Sequence, residues 1–280
     1  MRNWGEVYQN QKIILNTLKD IEEIFLAGGT AVQCYLLSTK YRESEDLDFF
    51  VDYEMSSKES DKMARKIITI LGQNEQLQNI RHKKREDGTH RIFCAIEGSD
   101  EMIKLELLNF TVDRFGELDF IAHEDFPRIE NPYNLLLYKL KALCDRTDTI
   151  KDLFDIYFLF KLLKPINLKQ MLLDLEFKFL ETTGYVYGAE ALINALNITR
   201  RWDIVLAGDT KMHFAMKEAI VAFQNDFANT LLLAPEVLDF SYERYVKRKI
   251  EESACESVEE YLSFYEENPF LEQEIRDALQ

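Results

Sequence analysis

Asp46 and Asp48 stand two residues apart in "DLDFFVDY", a short run rich in aromatic and branched residues. A strand puts side chains i and i+2 on one face, so both carboxylates point the same way, with Leu47 opposite them toward a core. Their Cα atoms are then about 6.5–7 Å apart. Two carboxylates that close repel, and one takes up a proton unless a cation lies between them. A hard divalent ion suits such oxygen ligands, and Mg²⁺ is the usual partner when phosphates complete the shell. The alternative is an acidic strand end at the surface. Gly28, Gly29 and Thr30 close the preceding apolar run, "FLAGGTA". Paired glycines let backbone approach a ligand closely, and a following helix start offers free N–H groups to an anion. The Thr30 hydroxyl adds a possible donor. The alternative is an ordinary turn. An anion cradle facing a metal pair meets the requirement of a nucleoside triphosphate with Mg²⁺.

Glu106 sits in "KLELLNF", sharing a strand face with Lys104 while Leu105 and Leu107 face the other way. An ionisable residue amid an apolar strand is costly unless paired. A third carboxylate on a neighbouring strand would complete a two-metal clamp; an edge-strand glutamate facing water is the other reading. In "YKLKALCDRTDTIKDLFDIYFL", Lys139, Arg146 and Lys151 are cations able to neutralise phosphate charge. Lys139 is the candidate for contact with the triphosphate. Asp152 is the candidate for holding that lysine or assisting an acceptor hydroxyl as base. The competing readings are solvent-facing pairs such as Lys151 with Asp155, and a structural ion pair between two packed helices.

The elements that must position these groups follow from periodicity. Tyr8–Ile24 has a helical period, and Ala31–Leu37 reads as a short helix after the glycines. A helix over Ser57–Leu71 has Ser57 as its candidate cap, with an incomplete capping box. Leu77–Lys84 and Thr89–Ile96 flank the turn signal Glu86-Asp87-Gly88, and Met102–Phe110 follows. These strands form an antiparallel meander and, with the Asp-Leu-Asp strand, a mixed sheet with helices on one side. After Pro132 the pattern is helical: Tyr133–Leu143, Asp148–Leu163, Leu168–Leu180, Ala189–Ile198, Lys211–Leu232, Tyr242–Glu252 and Val258–Tyr265. The expected fold class is α+β, with an α/β domain over residues 1–130 and a helical domain over 131–280.

The 280 residues, 46% hydrophobic, suffice for a packed core. No signal-peptide pattern and no run of about 18 apolar residues occurs, so a cytoplasmic protein without membrane contact is expected. Cys34, Cys94, Cys144 and Cys255 are scattered, which predicts reduced thiols rather than a metal site. The net charge of −16 argues against general nucleic-acid coating. It is uneven: residues 251–280 hold ten acids and one base, whereas "RHKKREDGTHR", Arg81–Arg91, holds five Lys/Arg. That patch is either a solvated hairpin or a meeting point for a polyanion.

Taken in order, "FLAGGTA", "R-x-S-x-DLDFF", "KLELL" and "KLKAL-x-x-R-x5-D-x-x-D-x-Y" resemble the AbiEii-type nucleotidyltransferases, toxins of type IV toxin–antitoxin systems within the polymerase-β-like superfamily. The resemblance spans about residues 20–163. It implies a Mg²⁺-dependent enzyme, with two metals, that moves NMP from NTP to an acceptor hydroxyl on tRNA, another RNA or a protein. It also implies a cognate antitoxin. By this resemblance Gly28, Gly29 and Thr30 bind the nucleotide, Asp46 and Asp48 bind metal, and Glu106 falls where the superfamily has a third acid, in a looser motif. Lys139 matches the helical-motif lysine. Asp152 and Asp155 match an "RD-x-x-D" segment in which Lys151 replaces the usual arginine. Two other readings are a catalytically inactive interaction module and a small-molecule (antibiotic) nucleotidyltransferase.

Overall fold

The structure, a computed structural model, describes residues 2–51, 53, 55–108, 114–115 and 119–233. Helix α1, Trp4–Leu18, is capped by the Asn3 side chain, which accepts from the Glu6 N–H. It stops short of the expected end: Ile24 opens strand β1, Ile24–Ala27, with every residue buried. A short apolar run carries no period that separates a buried strand from a helix turn, and Ile21 is buried between the two elements. A three-residue helical turn, α2 (Gly28–Thr30), runs into a π-helix, Ala31–Leu36. Strand β2 is Asp46–Val51. Helix α3, Ser57–Gln73, is capped by Ser56 rather than Ser57. With Glu59 three residues on, the capping box is complete: the Ser56 hydroxyl accepts from the Glu59 N–H, and the Glu59 carboxylate accepts from the Ser56 N–H at 2.8 Å.

Strands β3 (Leu77–Lys84), β4 (His90–Ile96) and β5 (Met102–Leu107) complete one five-stranded sheet of order β1-β2-β5-β4-β3. Only β2 and β5 pair in parallel, so the sheet is mixed. Gly88 turns the β3–β4 hairpin with φ 82°, where a side chain would be strained. Lys84 and His90 meet Asp61 of α3, at 2.6 and 3.3 Å, which fixes the sheet face toward that helix. Ile92 and Cys94 share the face of His90 and are buried. The helices that follow are α4 (Pro132–Asp145), α5 (Lys151–Leu162), α6 (Leu168–Thr183), α7 (Ala189–Leu196) and α8 (Thr210–Leu232). Pro132 opens α4 at its first turn, and the Asn131 side chain caps it.

The fold is therefore α+β, as expected. Residues Met1–Leu233 form one compact unit, and the change from sheet to helices at Pro132 falls inside it. The expected helices Tyr242–Glu252 and Val258–Tyr265, the last residues of the Met102–Phe110 strand, Cys255 and the acidic C-terminal stretch lie outside the described residues. Among the described residues no helix is long and apolar enough to cross a membrane.

Candidate active site

β2 places Asp46 and Asp48 on one face, with Leu47 fully buried on the other. Parallel pairing sets Asp48 directly beside Glu106 and Asp46 beside Lys104. The three predicted carboxylates thus share one face of two adjacent strands, opposite the face under α3. Burial, then the charges of Asp46 and Glu106, push the Asp48 carboxyl up to about 6. Burial is the larger cause, and the two neighbouring carboxylates add to it. The Arg91 guanidinium donates to Glu106 at 2.5 Å, and the Lys104 ammonium lies 2.8 Å from Asp46 and 3.5 Å from Glu106. Among the described residues no three His, Cys, Asp or Glu side chains are arranged as a metal-ligating group. The donor chemistry nevertheless suits a hard divalent ion: three carboxylates share one sheet face, with Asp48 beside Glu106 in register.

The two glycines are needed for close approach within the protein itself. Gly28 has φ 71°, and a Cβ there would lie 1.9 Å from the Asp48 carboxylate. A Cβ at Gly29 would lie 2.6 Å from the Arg42 guanidinium. Thr30 does not present its hydroxyl to a ligand, contrary to expectation. It is fully buried and donates to the Asp46 carbonyl at 2.5 Å. Its task is to hold the start of β2 rather than an anion.

Beyond the glycines lies a cluster of cations. α4 and α5 bring Lys139 to 3.1 Å from Asp152 and 2.8 Å from Asp155. Burial works against the lysine's charge, but Asp155 and Asp152 outweigh it and hold its pKa above the ordinary value. Arg42 clamps the other side of Asp155 through Nε and Nη2, at 2.8 and 2.6 Å. The Gln33 side chain adds a third donor to that carboxylate at 2.9 Å. Burial opposes ionisation of Asp155, yet Arg42 and Lys139 win and bring it down to about 2. Asp152 differs. One oxygen faces Lys139, while the other is buried without a hydrogen-bond partner, 3.6 Å from the exposed Arg146.

A cleft of about 250 Å³ joins these groups. Gly29, Asp46 and Asp48 line one part, and Lys139, Arg146, Lys151 and Asp152 another. Trp4 and residues Asp203–Val205 form a further wall, which the sequence did not announce. The loop carrying Asp203–Val205 is tied in by Glu43 N–H donating to the Val205 carbonyl and by Thr149 donating to Asp203, both at 2.8 Å. Arg42 was visible only as the arginine of "R-x-S-x-DLDFF"; its fixed place four residues before Asp46 was the available signal.

The open sheet face continues outward from the carboxylates. In register, Asp48, Glu106, Arg91 and Lys83 form one row, and Asp46, Lys104, Phe93 and Arg81 the next. Lys84 points the other way, to Asp61 and Ser57 of α3.

The family model described as "Nucleotidyl transferase AbiEii toxin, Type IV TA system" matches residues 15–237. No curated protein is similar enough to match. Among solved structures, the nucleotidyltransferase toxin MenT4 of Mycobacterium tuberculosis is similar at 14% identity, with a TM-score of 0.55, over 100% of this chain and 98% of that one. JHP933 of Helicobacter pylori is similar at 20% identity, with a TM-score of 0.46, over 83% of this chain and 96% of that one. With the family model covering most of its length, the chain belongs to the AbiEii family of nucleotidyltransferase toxins.

Proposed function

We propose that the chain transfers NMP from a nucleoside triphosphate to an acceptor hydroxyl with Mg²⁺ at Asp46, Asp48 and Glu106. The observation that carries this is the in-register pairing of Asp48 with Glu106 beside a cleft lined by Lys139, Arg146 and Lys151. Negative and positive groups then divide the work: the carboxylates hold cations, and the basic side chains receive phosphate oxygens. The acceptor oxygen attacks the α-phosphorus, its proton leaves, and the bond to the β-phosphate oxygen breaks to release pyrophosphate. Bound Mg²⁺ would neutralise phosphate charge and favour the ionised acceptor oxygen. Lys139 stays charged throughout, because Asp155 and Asp152 stabilise its ammonium form. Asp152 lines the cleft and is the candidate for orienting or deprotonating the acceptor hydroxyl.

The side of approach follows from the rows across the sheet. Gly28, Gly29 and Lys139 flank Asp48 on the β1 side, whereas Glu106 lies on the β5 side. The acceptor accordingly enters over β5, β4 and β3, where Arg91, Phe93, Arg81 and Lys83 offer cations and a ring. That surface fits an RNA end, tRNA included, better than a cationic small molecule, which an acidic pocket would serve. A protein hydroxyl is the other acceptor class. An inactive module has no need of all three carboxylates, and this chain has them. The family's type IV toxin–antitoxin assignment implies a cognate antitoxin. The test is incubation with each radiolabelled NTP, Mg²⁺ and either total RNA or protein extract. Label in RNA supports the reading, label in protein redirects the acceptor, and no label with any NTP overturns it.

A further inference from the structure

Lys104 is at odds with its surroundings as the proposed function uses them. It projects from β5 onto the carboxylate face, opposite Asp46 in register and two residues before Glu106. Its ammonium touches Asp46 at 2.8 Å and Glu106 at 3.5 Å. Glu106 Oε1 also takes the Arg91 hydrogen bond, so that oxygen already serves two cations. Two of the three carboxylates are therefore engaged by the protein's own cations. A divalent ion bridging Asp46, Asp48 and Glu106 would have to occupy the space near this ammonium, and two positive centres do not share such a space at low cost. A four-carbon stem lets an ammonium swing away when a better anion arrives, as a rigid guanidinium fork does less readily.

We infer that Lys104 is a resident cation that holds the carboxylate cluster together in the metal-free protein and must be displaced for the divalent ion to bind. The inference rests on the proposed metal role of the three carboxylates. It makes metal affinity of the free enzyme low by construction. It also favours entry of the metal together with a nucleotide, whose phosphates supply a new partner for the displaced ammonium.

The test is Mn²⁺ binding to the full-length, nucleotide-free protein, followed by electron paramagnetic resonance of the free ion. Lys104→Met should bind Mn²⁺ about tenfold more tightly than wild type, the order of effect of removing one close like charge. Lys104→Arg, which keeps the charge on a fork that swings away less readily, should bind Mn²⁺ no more tightly than wild type. Asp48→Asn should lose binding in either background. Wild type carries a measurement that needs no variant: the Lys104 ammonium signal in a ¹⁵N-lysine spectrum, protected by its two carboxylates, should be lost as Mg²⁺ and nucleotide are added. Equal Mn²⁺ affinity in wild type and Lys104→Met, or an ammonium signal indifferent to Mg²⁺ and nucleotide, overturns the inference and leaves the metal site standing. Absence of Mn²⁺ binding in both proteins overturns the metal site and the inference with it.

Discussion

Asp48 concentrates the chemistry at the scale of one residue. Its carboxyl is raised to about 6 from an ordinary 3.8, so between those values the folded chain binds more protons than the unfolded one. Stability of the metal-free protein should consequently fall as pH rises from about 4 to about 6, then level off. Asp48→Asn should remove that slope, and melting temperatures in EDTA across this range check it; parallel curves for the two proteins would refute it. The same variant should abolish transfer at saturating Mg²⁺ with the fold intact. Lys139 forms the buried ion pairs and also lines the cleft, so the two readings that the sequence left open do not exclude each other. Lys139→Met should lower the melting temperature and also cost about 10²-fold in turnover per folded molecule, as when one transition-state donor is removed. Active-site titration separates the two effects, and full turnover per folded molecule would make the lysine purely structural.

Strand alternation governs the next scale. The basic hairpin reads as one patch in sequence, but period two splits it. Arg81 and Lys83 share the face of Glu106, whereas Lys84 is bound to α3 and Arg85 pairs with Asp87. If RNA is the acceptor, Arg81→Ala with Lys83→Ala should weaken its binding and reduce the salt slope by about two phosphate contacts. Lys84→Ala should leave that slope unchanged, and binding isotherms from low to moderate salt check both. The elements most legible in sequence were those with unambiguous period and bounds: α3, the β3–β4 hairpin, α4 and α8. Strand β1 was not legible, because four buried apolar residues after an amphipathic helix extend its pattern. The Asp-x-Asp face and Glu106 were legible from alternation alone, but their pairing in register was not, since β2 and β5 are separated by two other strands. That the Thr30 hydroxyl turns inward to the Asp46 carbonyl was not legible, because sequence cannot tell which way a hydroxyl turns.

Across the whole molecule, the tie that assembles the site is the buried group formed by Gln33, Arg42, Lys139 and Asp155. Asp155→Ala would leave Arg42 and Lys139 without their principal counter-charge, and loss of one partner of a buried ion pair typically costs about 3–5 kcal/mol. Urea unfolding of the full chain measures it, and a loss below about 1 kcal/mol would mean that the network relaxes into solvent. The sequence singled out Lys139 and Asp155 but not their joining to Gln33 and Arg42, because the members come from four segments. The loop that brings Asp203–Val205 to the cleft was silent in the sequence.

That network has a bearing on timing. Arg42 and Asp155 are 113 positions apart. A ribosome delivers the chain from its N-terminus, so all three carboxylates emerge well before the helices that supply Lys139 and Asp155. A nascent polypeptide stalled near residue 130 holds all three carboxylates yet lacks Lys139, Arg146 and Lys151 of the cleft. In this member of a toxin family, the cleft is therefore complete only after α5 and the loop at Asp203–Val205 have been synthesised and can dock.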